Sequence, residues 1–161
     1  MKSASLQDLR LQLKNAAPAE LMEYCIRLAR HKVENKELLT YLIYEQDDEA
    51  AFIRGVRDEA DTLFAGINRS HVYYAKKGLR KILRFLQKNI RFAASKQVEI
   101  ELLLHFCERM METGLPVQTH RVLKTILDTQ IGKIDKAIGT LHEDLQYDYR
   151  KSLQRIISDT R

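Results

Sequence analysis

Apolar side chains recur at intervals of three and four along almost the whole of this chain, the spacing that lines one face of an α-helix. No run alternates apolar with polar residues between turn signals, as a half-buried strand would. Glycine and proline support the same reading. Six Gly and two Pro occur in 161 residues, against about 19 expected at average usage, so the turn chemistry of a many-stranded fold is missing. The composition, 45% hydrophobic and 30% charged, is that of a folded, water-soluble chain. A chain of roughly 150 residues buries about 70% of its unfolded surface, enough for one core. The expectation is therefore an all-α protein of seven or eight antiparallel helices, forming a single domain over 1–161.

Local signals divide the chain. Ser5 can cap a first helix that ends at Asn15-Ala16-Ala17-Pro18. Pro18 opens a second, in which Leu21, Cys25, Leu28 and Ala29 form an inward stripe. Asn35 is the expected cap of a third, and its segment Leu38–Tyr44 is apolar around most of its circumference, which predicts a helix enclosed by others. Asp47-Asp48-Glu49 places carboxylates at the start of the fourth, where the helix dipole favours them. Ser70 and Ser95 are the expected caps of the fifth and sixth, and Gly114-Leu115-Pro116 is the clearest break. Thr119 is the expected start of the seventh. From there a heptad-like seam, Leu127, Ile131, Ile134, Ile138, Leu141 and Leu145, runs on through Tyr149, Leu153 and Ile156. One straight helix over that seam would be about 60 Å long, whereas a compact chain of this size is about 40 Å across. A kink or break near 139–140 is expected, at Gly139 and the capping-box pattern Thr140-Leu141-His142-Glu143. Helix pairs recurring at about 40 residues fit a HEAT-like array, and short connections fit a compact helical bundle equally.

The strongest anomaly is electrostatic. From Arg69 to Lys96 there are nine basic residues and no acidic one. Removing them leaves 18 basic against 22 acidic residues, so the formal net charge of +5 divides into +9 on one segment and −4 on the rest. On a helix, Lys77, Arg80, Lys81, Arg84, Lys88 and Arg91 fall within about 100° of arc, opposite Ala75, Leu79, Ile82, Leu83, Leu86 and Ile90. Tyr73 lies inside the arc, and Tyr74, Phe85 and Phe92 lie at its shoulder, so rings that stack on bases stand beside cations that hold phosphates. The competing reading is a salt-bridge ladder, with Asp58, Glu59 and Asp61 of the fourth helix and Glu101, Glu108 and Glu112 of the sixth neutralising the arc.

Other chemistry finds little foothold. There is no Gly-x-Ser-x-Gly, Gly-x-x-x-x-Gly-Lys or Gly-x-Gly-x-x-Gly pattern. Ser70-His71 reads as a helix start, and no catalytic residue is assigned. Glu101, His105 and Glu108 share a helix face but lack the partner motif of a metal-binding bundle, so neither metal nor cofactor is expected. Glu99, which projects among Leu102, Leu103 and Phe106, is expected to answer the helix dipole or an arginine. Cys25 and Cys107 have the spacing of core residues. Gly55 and Gly78 are expected at helix crossings. No apolar stretch approaches the length of a membrane span or a signal peptide, which predicts a cytoplasmic protein with no membrane partner.

The segments Pro18-Ala19-Glu20-Leu21, Glu34-Asn35-Lys36-Glu37-Leu38-Leu39-Thr40-Tyr41-Leu42 and Leu141-His142-Glu143-Asp144-Leu145-Gln146-Tyr147-Asp148-Tyr149 resemble a group of small all-helical bacterial proteins with no assigned activity. The resemblance covers most of the chain, implies a bacterial cytoplasmic origin, and transfers no site. The functional expectation is a non-enzymatic protein-interaction or scaffold module, self-associating through the Leu127–Ile156 seam or docking another protein. The alternative is a sequence-nonspecific nucleic-acid-binding protein that uses Tyr73, Lys77, Arg80, Lys81, Arg84, Lys88 and Arg91.

Overall fold

The computed structural model of the chain describes residues 2–159, and among them it contains eight α-helices and no strand. The chain is all-α. It divides into two compact units, Met1–Tyr44 and Glu45–Arg161.

The first unit holds α1 (Leu6–Lys14), α2 (Pro18–His31) and α3 (Val33–Tyr44). Ser5 caps α1 through a capping box: its Oγ accepts the Asp8 amide at 3.2 Å, and the Asp8 carboxylate accepts the Ser5 amide at 3.3 Å. Pro18 opens α2, and the Ala17 amide donates to the Glu20 carboxylate at 2.9 Å. The helix α3 starts at Val33, two residues before Asn35, whose Nδ2 donates to the Leu28 carbonyl at 2.8 Å and ties the first turn of α3 to α2. The expected enclosure of α3 is not found. Tyr41 is its one buried residue, while Leu42, Ile43 and Tyr44 are exposed. Cys25 is exposed as well, against the expectation of a core position.

The second unit holds α4 (Glu49–Ala65), α5 (Val72–Ala93), α6 (Lys96–Glu112), α7 (Arg121–Ile138) and α8 (Glu143–Asp159). Its centre is α6, which packs against α4, α5, α7 and α8. Val98, Ile100, Leu102, Leu103, Leu104, Phe106, Cys107 and Met110 of α6 are all buried, more than one face of a helix can supply. Ser95 caps it as expected, accepting from the Val98 amide at 3.3 Å, and the Ser95 hydroxyl donates to Glu49 at 3.0 Å. Asp48 caps α4 through the Ala51 amide at 2.9 Å. Gly114 follows α6 at φ 73°, a left-handed conformation that a Cβ would strain. The seventh helix begins at Arg121, with His120 rather than Thr119 at its N-cap position.

The break near 139–140 is present. The helix α7 ends at Ile138, Gly139 closes it, and α8 turns back to pack on both α7 and α6. Leu127, Ile134, Ile138, Leu153 and Ile156 of the seam are consequently buried inside this unit, whereas Ile131, Leu141 and Tyr149 are half-buried and Leu145 is exposed. Neither glycine expected at a helix crossing is shown to be one: a Cβ at Gly78 would lie 3.1 Å from Cγ1 of Ile67 in the connection between α4 and α5, and Gly55 faces open space.

Candidate nucleic-acid interface

The helix α5 is amphipathic from end to end. Ala75, Leu79, Ile82, Leu83, Leu86, Asn89 and Phe92 are buried, and the buried Asn89 amide is satisfied by donating to the Phe85 carbonyl at 3.0 Å. The start of α5 departs from expectation. Ser70 donates both its amide and its hydroxyl to Asn68 Oδ1, at 2.9 and 2.6 Å, which leaves His71 to cap the helix by accepting the Tyr73 amide at 3.1 Å on Nδ1. No acidic residue occupies the first turn of α5, so the positive end of its dipole stands uncompensated beside the exposed Arg69.

The cationic face divides into two parts. Lys77, Arg80, Lys81 and Arg84 are exposed, and among the described residues no ion pair joins any of them to a carboxylate. Lys88 is half-buried and Arg91 exposed, and both engage in further interactions of their own. The open stretch therefore runs from Lys77 to Arg84.

Three of the six carboxylates that were to neutralise this face are engaged elsewhere. Asp61 of α4 accepts from His105 Nε2 at 2.8 Å and lies 2.9 Å from Arg109 Nε, both on α6. Glu101 accepts from Arg57 of α4 through one oxygen and from the Tyr149 hydroxyl of α8 through the other, at 2.7 Å. Glu112 pairs with Arg109 one turn away. Asp58, Glu59 and Glu108 are exposed. Through Glu101, His105 and Arg109 the polar side of α6 is joined to α4 and α8, while Glu108 and Glu112 face water. Burial, then the bond to Glu101, raises the Tyr149 phenol well above its ordinary range. Glu99, in the first turn of α6, meets Lys96 Nζ at 2.7 Å.

The aromatic residues separate in the same way. Tyr73 and Tyr74 are 58% and 51% exposed, with ring centroids 5.4 Å apart in an edge arrangement, and Lys76 Nζ sits 5.3 Å from the Tyr73 centroid. Phe92 is buried and Phe85 half-buried, so neither stands open at the shoulder of the arc. Two tyrosines at the N-terminal end of the cationic stretch are what remains for stacking.

Glu101 and His105 are held by the partners just described, and among the described residues no group of three or more His, Cys, Asp or Glu side chains is placed to hold a metal ion. Cys107 is buried, and burial followed by the neighbouring Glu108 carboxylate pushes its thiol up to about 12. Among the described residues no helix is long and apolar enough to cross a membrane. Comparison with known proteins finds no matching family model, no similar curated protein and no similar solved structure.

Proposed function

We propose that this chain is a helical binding module, not an enzyme, whose α5 face holds a nucleic-acid strand by its phosphates without reading sequence. The observation that carries this reading is the open row Lys77, Arg80, Lys81 and Arg84, for which the nearby acidic helices supply no partner. An uncompensated row of four cations on a rigid helix is costly through mutual repulsion unless a polyanion meets it. From Lys77 to Arg84 the open face is about 10 Å long, the span of about three phosphates on one strand of a duplex. Exposed tyrosines at one end suit stacking on unpaired bases, which favours single over double strands.

Fluorescence anisotropy with a labelled single-stranded oligonucleotide tests the proposal. With four phosphate contacts on a single strand, affinity falls about fiftyfold between 50 and 200 mM salt. Arg80→Glu/Arg84→Glu abolishes binding at 50 mM salt while leaving the circular dichroism unchanged. No binding by the parent chain at low salt, or undiminished binding by the double variant, removes the reading.

A second reading, protein scaffolding, is favoured by a different observation. The unit Met1–Tyr44 leaves most of its large apolar side chains exposed.

A further inference from the structure

Isolated helices shorter than about 12–15 residues are marginal in water. The helix α1 has 9 residues and none of them is buried. Leu6, Leu9 and Leu13 stand at i, i+3 and i+7, so they form one stripe along α1, and all three are exposed, Leu6 at 83%. A helix with these properties persists when its stripe is covered.

The same unit carries a receptor of matching chemistry. Between α2 and α3 lies an apolar groove of about 260 Å³, lined by Cys25, Leu28, Leu38, Leu39 and Leu42 among others. An apolar cavity of about 150 Å³ accommodates a benzene ring, so this groove has room for roughly two leucine side chains. Its own α1 does not fill it. Pro18 restricts Ala17 to an extended conformation, φ −66° and ψ 150°, and α1 carries its leucines exposed.

We infer that Met1–Tyr44 is a self-association unit in which the α1 leucine stripe of one copy seats in the α2–α3 groove of a second copy, and reciprocally. This rests on the scaffolding reading and names its partner. Helix and groove both belong to this chain, so two copies related by a twofold axis satisfy both at once, whereas a foreign helix in the groove would leave α1 uncovered. The stripe residues Leu6, Leu9 and Leu13 and the groove residues Leu28 and Leu42 are about half open. At roughly 60–120 Å² of apolar surface per aliphatic side chain, the two reciprocal contacts cover on the order of 250 Å² of apolar surface per copy, a small interface of the transient class.

Cys25 makes the contact testable, because it lines the groove and is exposed while Cys107 is buried. In the full chain, Leu9→Cys places a second thiol on the stripe, and Leu11→Cys places one on the far side of α1. Under mild oxidation at micromolar protein, Leu9→Cys gives an interchain bond to Cys25, identified by mass spectrometry of the bridged peptides, in at least tenfold higher yield than Leu11→Cys. Adding Cys25→Ser removes it. Sedimentation equilibrium of the reduced parent chain gives a dimer, and Leu6→Glu/Leu9→Glu/Leu13→Glu gives a monomer with a dissociation constant raised at least a hundredfold. Equal yields from the two cysteine positions overturn the inference. A parent chain that stays monomeric at hundreds of micromolar, without cross-links, overturns self-association and leaves the groove to a foreign segment. A bond between the introduced thiol and Cys25 within one chain overturns both self-association and scaffolding through this groove, which its own α1 then fills.

Discussion

Twelve of the sixteen large hydrophobic side chains left exposed among the described residues lie in Met1–Tyr44, whereas all but one of the thirty buried hydrophobic residues lie in Glu45–Arg161. Both units are built from amphipathic helices with leucine-rich stripes, so apolar content does not separate them. Geometry does. In the second unit α6 has four helices around it, and eight of its side chains are buried among them. In the first, α2 packs on α3, α1 buries nothing, and three short helices lack the surface to enclose a core.

That contrast can be broken most sharply at the two thiols. With its pKa at about 12, Cys107 is ionised to roughly one part in ten thousand at pH 8, and it is also sterically closed. A thiol-specific reagent applied to dilute native protein therefore modifies Cys25 first and Cys107 more than a thousandfold slower. Comparable rates, read by mass spectrometry, would mean that the second unit opens as readily as the first.

Next in size is the effect of truncation. Phe106 of α6 is fully buried, 5.5 Å from the Phe64 ring, and Phe106→Ala costs about 3–5 kcal/mol in urea unfolding. Leu28 is 61% exposed, and Leu28→Ala costs less than about 1 kcal/mol in dilute solution. Equal costs would erase the distinction between the units.

A smaller effect sharpens the account of what holds the second unit together. Tyr149→Phe removes the bond to the Glu101 carboxylate and costs about 1.5–3 kcal/mol at neutral pH. The folded phenol is raised above its unfolded value near 10, so the unfolded chain gives up this proton first and stability falls as pH rises. The parent's advantage over the variant is fully present below pH 10 and is lost as pH climbs toward the folded value. A difference that stays constant from pH 7 to 11 would show that the hydroxyl is not buried against Glu101.

The helix starts at Ser5, Asp48 and Ser95, the break at Gly114 and the turn at Gly139 were legible in the sequence because each depends on residues within one turn of the chain. The amphipathic design of α5 was legible for the same reason, since burial of Leu79 and exposure of Arg80 follow from helical period alone. What depended on neighbours was not. The apolar girth of Leu38–Tyr44 suggested enclosure, but girth records only what a helix can bury, and α6 was the helix that found neighbours. Glu101 and His105 lie on the face of their own helix opposite Leu103 and Cys107, and the partners that claim them lie 40 or more residues away. Ser70 was a sound cap until Asn68, two residues back, took its hydroxyl. Whether the row from Lys77 to Arg84 would be covered was likewise a question about other helices, and no spacing within α5 could answer it.

The joint between α5 and α6 is two residues long: Ala94 turns through the left-handed region at φ 49°, and Ser95 at once anchors the next helix. With that joint at one end and Ile67 wedged against Gly78 near the other, the cationic ridge is preorganised. For the nucleic-acid reading proposed above, this leaves the ordering penalty of binding on the lysine and arginine stems alone, at about 0.5–1.5 kcal/mol apiece.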